Sequence, residues 1–159
     1  MQPVHVNVYI HAPIEEVFDA VTDHEGYARY PGILSAKLVQ PGRTERNGAG
    51  AVREIRTPGV RFVEEITGFE RPVRMEYVIR ECTLPIRHEG GSIELVRRGD
   101  GTEVNWISRV QPALPIGGGL LSRVARPITV EAFTTFLLAM KKRLESRRAE
   151  SARAARAPN

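Results

Sequence analysis

Cysteine is almost absent from this chain. Cys82 stands alone, which excludes an internal disulfide and any zinc site built on paired thiolates. No apolar run approaches the roughly 20 residues of a membrane-spanning helix. The opening Met-Gln-Pro-Val-His lacks the basic start and apolar stretch of a secretory signal, and together these absences predict a cytoplasmic protein. The familiar catalytic signatures are missing too. There is no Gly-x-Ser-x-Gly elbow, His-Glu-x-x-His pair, phosphate loop or dinucleotide fingerprint. The four histidines, His5, His11, His24 and His88, are scattered along the chain. Neither a metal site nor a bound cofactor is expected from them.

Charge of one sign is scarce in the body of the chain. The formal net charge is +4, but residues 141–159 hold seven basic residues against two acidic ones. Residues 1–140 therefore hold 16 basic and 17 acidic residues and are close to neutral. A basic groove interleaved with aromatics, the footprint of single-strand nucleic-acid binding, is not visible. Residues 148–159 have no apolar face to bury and are expected to form a flexible basic tail behind one domain of residues 1–147.

What is present reads as a mixed fold. Val4, Val6, Val8 and Ile10 alternate with His5, Asn7, Tyr9 and His11, the period of a half-buried strand. Ala12-Pro13 then starts a helix whose apolar stripe is Val17, Phe18 and Val21, with Glu15 and Glu16 at its N-terminal end. A second short helix is expected from Gly26 to Tyr30. Six strands follow, near 33–40, 50–57, 60–69, 73–82, 87–97 and 103–112, separated by Pro41-Gly42, Pro58-Gly59, Arg71-Pro72 and Gly99-Asp100-Gly101. Short strands with tight connections favour an antiparallel meander. Gly90-Gly91 inside a strand signals a bulge or bend. Leu120, Leu121, Val124, Ile128, Phe133, Phe136, Leu137, Met140 and Leu144 trace a final helix, which Pro127 is expected to kink or split.

Several segments carry a resemblance. Residues 6–23 (VNVYIHAPIEEVFDAVTD) and Tyr27-Ala28-Arg29-Tyr30-Pro31 resemble the opening of the START/Bet v 1-like (SRPBCC) superfamily. Gly99 to Trp106 (GDGTEVNW) is similar to its last hairpin and Phe133 to Leu144 to its closing helix. The likeness spans residues 4–147. It is nearest to the branch named for polyketide cyclases and dehydrases, which also contains coenzyme Q-binding proteins. The resemblance implies an α+β helix-grip fold, with a seven-stranded curved antiparallel sheet around a long C-terminal helix. Two short helices then follow the first strand, and the gap the sheet cannot close becomes a pocket.

On strand parity, the inner face should carry Met75, Tyr77 and Ile79, then Ile93 and Leu95, then Val104, Trp106, Ser108 and Val110. The last helix adds Phe133, Phe136, Leu137 and Met140. Such a wall suits an apolar small molecule. Glu64 and Glu65 are adjacent on one strand, so one of them faces inward, where a desolvated carboxylate is suited to general acid or base work. His88 points in or out according to the glycine bend. Arg87 and Arg109 either pair with inward carboxylates or face solvent, and Tyr30 and Tyr77 are candidate donors to a carbonyl.

Three functions follow. The first is a binding protein, monomeric or homodimeric, for a lipid, polyketide, isoprenoid or quinone, with residues 112–116 and the glycines after them as its gate. The second is a polyketide aromatase/cyclase or dehydratase acting through Glu64, His88, Tyr77 and Arg109, where a shaped pocket supplies much of the rate. The third, implied by the resemblance, is an interaction module like the superfamily's ribosome-associated toxin relatives, in which the basic tail matters.

Overall fold

A computed structural model describes residues 3–113 and 118–156, without the side chains of residues 112 and 118–125. The elements run β1 (Val4–Ile10), α1 (Ile14–Thr22), a short 3-10 helix (Glu25–Arg29), β2 (Ser35–Gln40), β3 (Val52–Thr57), β4 (Val60–Glu70), β5 (Arg74–Cys82), β6 (Ile86–Arg98), β7 (Gly101–Pro112) and α2 (Gly118–Arg156). The seven strands form one antiparallel sheet in the order β1-β7-β6-β5-β4-β3-β2. Strands β2 to β7 are therefore a simple meander, and β1 adds itself beside β7.

That order gives α1 and the 3-10 helix their place. They must carry the chain from β1 at one edge to β2 at the other, so they cross one end of the sheet. Ile14, Val17, Phe18 and Val21 turn inward from α1, and Tyr27 turns inward from the 3-10 helix. These side chains plug that end.

The core lies between the concave sheet face and α2. Val4, Val6, Val8 and Ile10 of β1 are buried, with Val104 and Trp106 of β7, Ile93 and Leu95 of β6, and Met75 and Tyr77 of β5. From α2 come Phe136, Leu137, Met140 and Leu144, at the three- and four-residue spacing of one helix face. Each such side chain contributes about 1.5–3 kcal/mol by leaving water. Polar ties fix the helix along β1 and α1. Lys141 Nζ donates to Tyr9 O at 2.7 Å, the His11 amide donates to Glu145 Oε1 at 2.9 Å, and Arg148 pairs with Glu16 at 3.1 Å.

The final helix is continuous across Pro127, so of the kink or split expected there the split does not occur, and Pro127 lies on an exposed face. It also continues to Arg156 where composition predicts a loose tail from residue 148. Alanine and arginine are strong helix formers, and lengthening an existing helix avoids the cost of nucleation. Arg153 and Arg156 in the last turn complement the helix dipole. All side chains from 146 to 156 are exposed. Most of the gate expected over 112–116 lies outside the described residues. No described helix is long and apolar enough to cross a membrane.

Candidate ligand-binding site

Directly opposed residues in an antiparallel sheet share a face, so the register identifies the concave wall. Glu64 lies opposite both Arg53 and Ile79, Phe62 opposite Ile55 and Cys82, and Ile66 opposite Tyr77. Further across, Met75 faces Ile93, Gly91 faces Ser108, and His88 faces Val110. The wall has two zones. Toward α1 it is closed, with Ile66, Met75, Ile93 and Tyr77 at most 2 % exposed. Toward the other end Phe62, Ile79, Cys82, Ile86, His88 and Val110 are only half-buried. Phe133 of α2, also half-buried, stacks on Trp106 at 3.8 Å with the rings 10° apart.

A charged cluster sits between these zones. Arg53 of β3 is 1 % exposed and Glu64 of β4 is 7 % exposed. Arg53 Nε donates to Glu64 Oε2 at 2.7 Å, and Arg53 Nη1 donates to His24 Nδ1 at 2.9 Å. His24 Nε2 lies 2.8 Å from the carbonyl oxygen of Asn47. A carbonyl can only accept, so the Nε2 carries the hydrogen and Nδ1 is the acceptor. Burial and the neighbouring guanidinium push the His24 pKa down to about 3, against a smaller upward pull from the Asn47 carbonyl. Burial opposes the charge on Arg53, but Tyr27 and Glu64 beside it hold its pKa above the ordinary arginine range. The guanidinium lies 4.8 Å from the ring centre of Tyr27 and 5.6 Å from that of Tyr77, within cation–π range.

A second polar chain runs across β5, β6 and β7. The Ile79 amide donates to His88 Nδ1 at 2.9 Å, which leaves Nε2 as the donor to Ser108 Oγ at 3.0 Å. The Tyr77 hydroxyl accepts the Trp106 indole N–H at 2.9 Å. Burial lowers the His88 pKa to about 4 and raises that of Tyr77. The His88 ring also stacks on Tyr77 at 5.3 Å. Both of its nitrogens are thus occupied, and it orients Ser108 and Tyr77 rather than standing free as a base.

The residues predicted from sequence divide accordingly. Met75, Tyr77, Ile93, Leu95, Trp106, Ser108, Phe136, Leu137 and Met140 are buried on the inner side, while Ile79 and Phe133 are half-buried there. Glu64 faces inward, but in an ion pair with Arg53 and not as the isolated desolvated carboxyl expected for acid–base work. Arg109 is exposed, one residue out of phase with Ser108, and Arg87 is exposed as well, so neither joins the cluster. Tyr30 is buried against Phe136, ring centres 4.8 Å apart. Sequence reasoning missed Arg53, His24 and Tyr27. Among the described residues no group of three His, Cys, Asp or Glu side chains is placed to hold a metal ion.

A groove of about 590 Å³ also opens outside the concave face, between α1 and the C-terminal part of α2. Its walls include Glu16, Asp23, Arg29 and Arg148, which pair with one another. That surface is a solvated ion-pair belt. The apolar, concave wall is the better candidate for a small molecule.

The two glycines of the β6 bend do different jobs. Gly90 sits at φ 117°, a left-handed conformation, where the register with β7 shifts. Gly91 has no such backbone demand but lies against the Tyr77 ring, and a Cβ there would approach the hydroxyl to 2.7 Å and the ring carbons closer still. Gly91→Ala is therefore expected to displace Tyr77 and break its bond from Trp106. It should cost about 1–3 kcal/mol of stability and shift Trp106 emission, read by urea unfolding and fluorescence. Unchanged emission at full stability would contradict the assignment.

The comparisons with known proteins agree with this architecture. The family described as "Polyketide cyclase / dehydrase and lipid transport" matches residues 1–145. Among solved structures, the protein TTHA0849 from Thermus thermophilus is 25% identical with a TM-score of 0.75, covering 92% of this chain and 99% of that one. A START superfamily protein from Mycobacterium smegmatis is 18% identical, with a TM-score of 0.69 over 91% of this chain and 97% of that one. Ara h 8.0201 is 15% identical, with a TM-score of 0.67 over 91% and 98%. At these identities the last two establish the fold alone. No curated protein is similar enough in sequence to count as a relative.

Proposed function

The chain belongs to the polyketide cyclase/dehydrase and lipid transport family, and from that premise we propose that it binds an apolar small molecule on the concave sheet face. The observation that carries the reading is the half-buried patch of Phe62, Ile79, Cys82, Ile86 and Val110 on the concave wall. Covering roughly 300 Å² of apolar surface is worth about 7–8 kcal/mol. That exceeds the lower estimates of about 4 kcal/mol for lost translational and rotational freedom. The polar cluster at the inner end of the patch supplies the few fixed groups that would orient a ligand. Binding is favoured over acid–base catalysis because His88 has both nitrogens engaged and Glu64 is held by Arg53.

Trp106, the one tryptophan in the chain, is a built-in reporter. The neutral probe N-phenyl-1-naphthylamine should bind saturably at one per chain, with quenching of Trp106 emission. Ile79→Asp, at a half-buried position, should weaken this at least tenfold while the protein still unfolds cooperatively. Absence of saturable binding, together with no small molecule released from gently purified protein by native mass spectrometry, would remove the reading.

A further inference from the structure

We propose that Glu64 makes this site select a neutral head group that can donate a hydrogen bond, such as an alcohol or phenol, and reject a free carboxylate. The inference deepens the binding reading above and rests on it. Arg53 and Glu64 are the buried charged side chains that the register places on the concave face among the described residues. They are not equivalent as seen by a ligand. The Arg53 side chain is 2 % exposed, behind Tyr27 and Tyr77 and bonded to His24 and Glu64. The Glu64 side chain is 9% exposed and lies opposite Ile79 and two residues from Phe62, at the inner edge of the half-buried patch. A ligand lying on that patch reaches the carboxylate before the guanidinium.

The bond from Arg53 uses Glu64 Oε2, and a carboxylate has about four lone-pair sites. A hydroxyl arriving at the patch can therefore donate a charge-assisted hydrogen bond without disturbing the pair. A ligand carboxylate has nothing to donate at neutral pH. It would either face Glu64 as a like charge in a poorly hydrated site or have to take Arg53 from it. The second route leaves Glu64 buried without its partner, the expensive outcome for a buried ion pair.

The test displaces bound N-phenyl-1-naphthylamine at pH 7.5 with decanol, methyl decanoate and decanoate, which share a chain and differ at the head. In the native protein decanol should displace at a concentration at least tenfold below that of decanoate, with the methyl ester, which cannot donate, in between. Glu64→Gln removes the charge and should bring decanol and decanoate within about threefold, each displacement being referred to the probe affinity measured for that variant. Decanoate binding as well as decanol would overturn the proposal and mark Arg53 as an anion anchor instead. So would a tenfold preference that survives in Glu64→Gln. Should that variant not fold, the order of the three ligands on the native protein still decides the matter. Failure of the probe itself to bind would count against the binding reading rather than against the head-group preference.

Discussion

Replacing Arg53 with methionine is expected to lower the unfolding free energy by about 3–5 kcal/mol. The substitution keeps a long side chain between Tyr27 and Tyr77, so most of the loss is electrostatic. Glu64, 7 % exposed, is left with its charge buried and unpaired, and His24 Nδ1 loses the donor 2.9 Å away. The effects of the two partners should therefore not add. Combining Glu64→Leu with Arg53→Met removes the stranded charge, and the double variant should regain at least about 2 kcal/mol over the single one. Urea unfolding of the three proteins at pH 7.5 measures this. Equal stability of the single and double variants would mean that packing, not the ion pair, holds this end of the sheet.

That pair is legible in the hairpin that carries it. Pro58-Gly59 is a two-residue turn, so Thr57 must meet Val60, Ile55 must meet Phe62, and Arg53 must meet Glu64. Once one of Glu64 and Glu65 is required to face inward, the residue opposite the inward one is fixed by the same hairpin. The signal was missed because Arg53 sits in Val-Arg-Glu-Ile-Arg, where five residues show no apolar alternation. β1, by contrast, announces itself through Val4, Val6, Val8 and Ile10, because its outer face meets water and its inner face meets α2.

His24 and Tyr27 were beyond such reasoning. They reach the cluster only because the connection from β1 to β2 crosses the end of the sheet, a consequence of strand order and not of local pattern. Arg109 illustrates the converse. Its parity beside Ser108 already placed it outward, and parity outweighed its chemical suitability. The helical stretch beyond Arg148 escaped for a third reason. Its propensity is high while its buried surface is nil, and a missing apolar face removes the periodicity that marks a helix without removing the helix.

Acid should loosen the fold well before its surface carboxylates titrate. His24 is neutral in the folded protein, with a pKa near 3 against 6.5 for an unperturbed histidine, because burial and Arg53 both disfavour its cation. The unfolded chain therefore takes up the proton first. Stability is complete above about pH 6.5 and falls as the pH drops toward 3, by about 1.4 kcal/mol per unit and roughly 3–5 kcal/mol in all. His88, lowered to about 4 by burial, acts in the same direction from its half-buried position. Glu15, Glu54, Asp100, Glu103 and Glu145, all with lowered pKa values, contribute their losses below the ordinary carboxylate range. Between pH 6.5 and 5 the histidines are thus the main source of any slope, and His24 faces Arg53 with Glu64 and Tyr27 around it. His24→Gln offers an amide oxygen to Arg53 and an amide N–H to Asn47 but cannot take up a proton. Urea midpoints at pH 7.5, 6.5, 5.5 and 5.0 should fall steeply for the native protein and less so for the variant. Parallel slopes would show that His24 can accept its proton in place, with the Arg53 guanidinium moving aside.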